Sequence, residues 1–201
     1  MRWLALLLCC FLLGACFTAG KRGGDAAMAV YDLGPVASGR PATLRAQPMA
    51  LEVRMPLWFD ALGINYRLAY AEPARLREYA RARWAGPPAQ LIQQNLVRDL
   101  GLMPSGQGKA LCLVRLDIDE FSQVFASPAS SHGVLRGRVQ WLDRSRARLA
   151  EHPVSIEIAA ASADSAGGVV ALTAAVADLT QQIRQAERDL IASGRLKSCQ
   201  P

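Results

Sequence analysis

The stretch "LCLVRLDIDEF" (111–121) alternates apolar and polar side chains, which is the period of a β-strand with one buried face. Two later stretches follow the same rule, "GVLRGRVQWLD" (133–143) and "RLAEHPVSIEI" (148–158). Because the connections are short, a polar loop at 126–133 and a turn at 143–146, the three strands are predicted to form an antiparallel meander. The side chains expected to face inward are Cys112, Val114, Leu116, Ile118, Leu135, Val139, Trp141, Val154, Ile156 and Ile158.

Two segments have the period of an amphipathic helix that could cover this meander. Residues 87–100 begin with two prolines, which suit a first helical turn, and Gly101 follows as a C-cap. Residues 169–192 carry apolar side chains at alternating steps of three and four, and Gly194 ends them. The sequence therefore predicts an α/β (α+β) protein with a mostly antiparallel sheet covered by two main helices.

Shorter strands are predicted before the first helix, at 28–33, 51–55 and 64–70. Residues 76–84 fit either a strand or a helical turn. Together these elements predict one domain over residues 28–195, followed by a C-terminal tail at 196–201.

The charge of the chain is mildly positive and widely spread. The formal net charge is +6, and it falls to +5 without residues 1–15, because Arg2 is the only charged residue among them. Such an excess is compatible with an anionic membrane surface or an acidic partner. Nucleic acid is not expected as a partner, since no aromatic ladder runs between the scattered arginines.

The first residues are typical of an export signal. Arg2 precedes the apolar run 3–13, which is too short for a bilayer span of ~20 residues. "LGAC" (13–16) resembles the bacterial lipobox, in which the chain is cut before the cysteine and the cysteine is acylated. We therefore expect a signal peptide at 1–15, a lipidated Cys16 and a flexible tether at 16–27. The alternative is a plain secretory signal in which Cys16 has no role.

The residue after Cys16 bears on the location of the protein. In the sorting rule known for such lipoproteins, an aspartate there retains the protein in the inner membrane. Phe17 occupies the position here. We therefore expect the outer membrane, with the domain facing the periplasm.

One carboxylate cluster is a candidate metal site. Asp117 and Asp119 share a strand face beside Glu120 and could share a cation. Two aspartates without further oxygen ligands make a poor site, and a solvated outer face of a strand explains them better. No metal and no cofactor is predicted.

Two other motifs are partly similar to catalytic or phosphate-binding sites. Residues 130–132 ("SSH") place a hydroxyl beside an imidazole, but the chain has no nucleophile elbow to support a triad. Residues 106–109 ("GQGK") are similar to a phosphate loop, but Met103 occupies the position of the first glycine and Ala110 that of the magnesium-binding hydroxyl. The sequence therefore predicts that the protein is not an enzyme.

Cys112 and Cys199 are the cysteines that remain after Cys16. Cys112 lies on an apolar strand face, where a buried free thiol is common. An exported protein meets an oxidising compartment, so a Cys112–Cys199 bridge that fixes the C-terminal tail to the sheet is the other outcome. The sequence alone leaves both open.

Several segments together resemble a known family. They are the lipobox, "YDLGP" (31–35), "LEVRMPL" (51–57), "INYRL" (64–68), "RWA" (83–85) before the first helix, "LDIDEF" (116–121) and the strand "GVLRGRVQWLD" (133–143). Their order is similar to that in the ABC-type transport auxiliary lipoproteins, although "GPP" (86–88) departs from the family at the helix start. The resemblance implies an α/β domain without catalytic residues. It further implies an outer-membrane anchor and a role beside an MCE-domain protein and its ABC transporter, in moving lipids or other hydrophobic molecules between membranes.

Three aromatic residues are candidates for a partner interface, because tryptophan is favoured at binding hot spots. They are Trp58, Phe59 and Trp84, and the alternative for each is a place in the core. A second functional interpretation is an outer-membrane lipoprotein for envelope or cell-wall assembly with an unrelated partner. The oligomeric state stays open, a homo-oligomer included.

Overall fold

The computed structural model describes residues 27–35, 49–106 and 109–199, which form eight strands, two long helices and one 3₁₀ turn. In chain order they are β1 (Ala29–Tyr31), β2 (Met49–Arg54), β3 (Gly63–Leu68), β4 (Glu72–Trp84), α1 (Pro88–Leu100), β5 (Met103–Pro104), β6 (Cys112–Ser127), β7 (Ser130–Leu142), β8 (Arg148–Ala159), α2 (Ser165–Ala192) and the 3₁₀ turn Lys197–Cys199. The predicted α/β class is confirmed, and residues 76–84 belong to a strand.

The predicted meander is present and longer than expected. β6 pairs antiparallel with β7, and β7 with β8. The predicted loop at 126–133 is wrong, because β6 continues to Ser127 and β7 begins at Ser130. This polar segment lies in the sheet beneath α2, so close that a Cβ on Gly133 would fall 2.7 Å from the backbone of Ala171.

The opposite edge of β6 carries two strands placed end to end. β2 runs parallel to the first half of β6, from Met49↔Cys112 to Arg54↔Asp117, and β3 runs parallel to the second half, beginning at Tyr66↔Gln123. β4 pairs antiparallel with β3, β1 pairs parallel with β4, and β5 pairs parallel with β2. The sheet is therefore mixed and divides into two halves on this side of β6, with the connection 55–62 at the division.

Both helices contribute to the core on one face of the sheet. Apolar side chains of α1 and α2, Ile92, Leu96, Leu172, Leu179 and Ile183 among them, have no exposed surface. α2 begins four residues before its predicted start because the Asp164 carboxylate accepts a hydrogen bond from the Gly167 N–H and caps the helix. Among the described residues, no helix is long and apolar enough to cross a membrane.

Charged side chains alternate with the core residues and form ion pairs across the other face. The pairs include Arg115–Glu52 at 3.0 Å, Arg67–Glu120 at 3.0 Å and Arg138–Asp117 at 3.5 Å. Each pair joins two neighbouring strands, so ion pairs link the strands across this face.

Candidate functional site

The connection between β2 and β3 forms a tight turn at the division of the sheet. The N–H groups of Phe59 and Asp60 both donate to the Pro56 carbonyl, at 2.9 and 3.1 Å. Pro56 ends β2 because it cannot donate to a strand ladder, and the chain must then return to the same edge of β6 to start β3. The turn at 56–62 is thus fixed at both ends by the sheet.

Two side chains of the turn anchor it to the domain. Phe59 is only 1% exposed, and the Arg67 guanidinium carbon lies 5.8 Å from the centre of its ring. The Asp60 carboxylate accepts a hydrogen bond from the Ala89 N–H at 2.9 Å. Pro87, at the N-cap of α1, offers no side-chain acceptor, so Asp60 satisfies one of the free N–H groups of that helix.

The floor under the turn is polar and rigid. Arg67 donates to both oxygens of Glu120, at 3.0 and 3.2 Å, and the Ser122 hydroxyl donates to the same carboxylate. Asn65 is 2% exposed and makes one long contact, 3.5 Å, from its amide nitrogen to the Trp58 carbonyl, while its Oδ1 atom has no hydrogen-bond partner.

The other apolar side chains of the turn point to solvent. Leu57 is 86% exposed, Trp58 64% and Leu62 41%. We call these three residues the apolar turn surface. Exposed apolar groups on an anchored turn are typical of a protein or membrane contact, since single-domain proteins rarely display them together without a partner.

The end of the turn is joined to the edge of the sheet. The Leu62 carbonyl accepts a hydrogen bond from the Trp84 N–H at 2.7 Å, and Trp84 is in register with Tyr31 of β1. The preceding residue of β1, Val30, is 53% exposed and is in register with the exposed Arg83. An exposed apolar side chain therefore lies beside a positive charge at the end of β4.

The structure separates the three predicted interface residues. Trp58 is exposed, whereas Phe59 and Trp84 are 1% and 2% exposed and belong to the interior. Trp84 stacks on Phe121 with ring centres 5.7 Å apart, because the alternation of β4 turns Ala82 and Trp84 inward together. Phe59 and Trp84 therefore offer no surface to a partner, and Trp58 does. Sequence reasoning missed Leu57 and Leu62, because nothing in the sequence distinguishes these leucines of the turn from buried ones.

Cys112 and Cys199, for which the sequence leaves both free thiols and a bridge open, lie together. The Cys112 and Cys199 Sγ atoms are 2.05 Å apart, as in a disulfide, and both residues are buried. The pair holds the 3₁₀ turn of the C-terminal tail against the start of β6. Cys16, the predicted lipidation site, lies outside the described residues.

The carboxylates that the sequence offered as a metal site form ion pairs or are exposed. Asp117 pairs with Arg138, Glu120 pairs with Arg67, and Asp119 is exposed. Within residues 27–35, 49–106 and 109–199, no three His, Cys, Asp or Glu side chains gather as metal ligands would.

Ser131 belongs to a buried polar cluster and not to a pair with His132. The Ser131 hydroxyl accepts from the Gln123 amide at 2.7 Å, and the Gln123 carbonyl accepts from the Tyr79 hydroxyl at 2.8 Å. Burial raises the pKa of Tyr79 well above its usual range, and the nearby Tyr66 and Asp164 raise it further. A neutral, hydrogen-bonded cluster of this kind stabilises the contact between the sheet and the start of α2.

The structure is that of an α/β domain that carries an anchored turn with exposed apolar side chains. Residues 31–184 match the family model described as "ABC-type transport auxiliary lipoprotein component". The chain belongs to this family, and the resemblance found in its sequence is confirmed. The family is one of lipoproteins that serve as auxiliary components of ABC-type transport.

Two solved structures have a similar fold. The protein XCC0632 from Xanthomonas campestris, described with the family model DUF330, aligns with a TM-score of 0.64 and 16% identity over 86% of this chain and 95% of that one. A crystal structure of an uncharacterized protein aligns with a TM-score of 0.61 and 15% identity over 80% and 98% of the two chains. At these identities the likeness shows the fold alone. No curated protein matches the sequence.

Proposed function

We propose that this protein is a non-enzymatic outer-membrane lipoprotein that docks a periplasmic MCE-domain protein and thereby serves an ABC transporter for lipids or other hydrophobic molecules. The observation that carries the proposal is the apolar turn surface, displayed by an anchored turn in a member of a transport auxiliary family. A turn held by Phe59 and Asp60 loses little conformational freedom when a partner binds, so its exposed side chains can contribute to affinity.

The lipid anchor is the second part of the proposal. Acylation of Cys16 would hold the domain at the outer membrane, because several acyl chains make release negligible at ~0.8 kcal/mol per buried CH₂. We expect Cys16→Ala to leave the domain folded and to release it from the membrane. A Cys16→Ala protein that still sediments with outer membranes would show that the anchor is not the lipid.

Docking is tested by removing the exposed tryptophan. Trp58→Ala should weaken co-purification of the MCE-domain protein by roughly 30-fold or more, because a hot-spot tryptophan contributes about 2 kcal/mol. The matched control is Trp84→Phe, which changes a buried tryptophan and should leave the contact intact if the domain stays folded. Unchanged co-purification with Trp58→Ala would refute docking through this surface.

A crosslinking experiment identifies the partner in the cell. A photoreactive amino acid at position 57, where the side chain is 86% exposed, should give an adduct whose mass spectrum contains MCE-domain peptides. The same group at position 188, exposed on α2, is the control for random collisions. An adduct with a cell-wall or envelope-assembly protein instead would favour the second functional interpretation.

A further inference from the structure

A groove crosses the end of the sheet where β6 begins, away from the apolar turn surface. It runs between Ser105–Gly106 and the turn that joins β7 to β8, and it has two lobes of about 200 and 330 Å³. Leu111, Asp143 and Arg144 line both lobes, so the two share a wall. Ser198, next to the disulfide, closes the far side.

The floor of the groove is apolar. Ala50 and Leu113 line it and pack with Leu142 and Ala110 in a small cluster, separate from the main core, on the face opposite the helices. Apolar side chains at the base of an open groove favour a ligand that carries hydrocarbon.

The rim of the groove carries more positive than negative charge. Arg144 forms no ion pair within the part of the chain that the structure describes. The Arg146 Nη1 atom is 3.7 Å from Glu52, but that carboxylate has closer guanidinium partners, Arg54 at 2.9 Å and Arg115 at 3.0 Å. Arg144 and Arg146 are therefore available to an anion.

The carboxylate that lines the groove, Asp143, accepts hydrogen bonds from residues of its own turn. One oxygen of Asp143 accepts from the Ser145 hydroxyl at 2.7 Å and from the Ala147 N–H at 2.9 Å. These hydrogen bonds hold the pKa of Asp143 below its ordinary value of 3.8, so it stays ionised and shapes the turn. The negative charge is tied to the backbone, while the guanidinium groups extend from the turn.

Arg146 occupies a backbone conformation that favours glycine. Its φ is +68°, and every other described residue with positive φ is a glycine. The hydrogen bonds of the turn, Arg146 N–H to the Asp143 carbonyl and Asp143 N–H to the Ala147 carbonyl, both 3.0 Å, impose this angle. The backbone of a residue with a Cβ is strained at this angle. Placing the Arg146 guanidinium at the groove therefore costs conformational free energy.

We propose that this groove binds a phosphate-type anion joined to a short hydrocarbon, as in the headgroup region of a phospholipid. Arg144 and Arg146 would hold the anionic oxygens, and the floor at Ala50 and Leu113 would cover the adjoining CH₂ groups. Lys109, exposed and next to Ala110 of the groove, adds positive charge nearby. The proposal concerns a ligand site and does not depend on the docking role of the apolar turn surface.

The test uses three soluble probes on the mature lipoprotein in micelles of an uncharged sugar detergent, which carries no phosphate: butyl phosphate, inorganic phosphate and butanol. Calorimetric titration of empty micelles provides the background. We expect saturable binding of butyl phosphate, weaker binding of inorganic phosphate, and none of butanol. Arg144→Gln and Arg146→Gly should each weaken butyl phosphate roughly 3- to 10-fold. Arg188→Gln, the same charge change on the exposed surface of α2, should have no effect.

The stability of Arg146→Gly separates a ligand role from a structural one. Glycine relieves the strain at φ +68°, so this variant should unfold at a higher temperature while it binds the anion more weakly. Equal affinity for inorganic and butyl phosphate would refute a lipid as the source of the anion and would indicate free phosphate. Absence of binding by the wild type up to ~10 mM, or an equal loss with Arg188→Gln, would overturn the site itself.

Discussion

Reduction of the Cys112–Cys199 bridge should destabilise the domain strongly, because the two residues are 87 apart in the sequence. Closing a loop of this length removes conformational entropy from the unfolded chain, and the chain-entropy relation gives about 4.6 kcal/mol at 25 °C. For a domain of this size the loss corresponds to a thermal midpoint lower by about 10–18 °C. The C-terminal tail would also lose its fixed position, since Cys199 is buried against β6.

The assay compares thermal unfolding of the chain expressed from residue 17 onwards, with and without a phosphine reductant. In that chain Cys112 and Cys199 are the only cysteines. The double variant Cys112→Ala/Cys199→Ala is the control, because its midpoint should match that of the reduced wild type and should not respond to the reductant. Thiol labelling of the unfolded, unreduced wild type should count none. A count of two, or a midpoint that ignores the reductant, would refute the reasoning.

Three further changes probe the sheet. Gln123→Leu should lower the free energy of unfolding by about 2–3 kcal/mol, because it leaves Tyr79 and Ser131 without their hydrogen bonds, as urea titration would show. Gly137→Ala should cost about 2–3 kcal/mol or more in the same assay, because its Cβ would fall 2.1 Å from a carbonyl oxygen of β6. Although partial burial opposes ionisation of Glu52, its arginine partners outweigh this and lower its pKa from 4.5. Glu52→Gln should therefore cost up to about 1 kcal/mol at pH 7, and the difference from wild type should vanish as the pH falls well below 4.5. A pH-independent difference would contradict this origin.

The strands and helices with strong periodicity were predictable because each buries one face. The inward set of β6, Cys112, Val114, Leu116 and Ile118, is buried as the alternation predicts. The order of strands on the other edge of β6 was not predictable. β2 and β3 share that edge because each pairs with a different part of a 16-residue strand, and a short alternating stretch carries no information on its long-range neighbour.

The candidate interface shows where residue type fails as a signal. Trp58 and Phe59 are adjacent aromatics, yet one is 64% exposed and the other 1%. The tight turn started by Pro56 separates them, and no periodic pattern describes such a turn. The place in the core that the sequence left as the alternative for Trp84 agrees with the alternation of Ala82 and Trp84 with Arg81 and Arg83, as in any half-buried strand.

The two proposed surfaces lie at opposite ends of one rigid strand. The groove includes Ala50 near the start of β2, and the apolar turn surface begins just after its end. Six residues, 51–56, lie between Ala50 and Leu57, and the first four of them belong to the strand, which gives a separation of roughly 20 Å. Between them Glu52 joins β2 to β6 through Arg115, and the disulfide fixes the start of β6. Allosteric coupling between the two surfaces would require an element with two states, and the part of the chain that the structure describes shows β2 and β6 in one arrangement. This arrangement favours a domain that holds two partners at a fixed spacing.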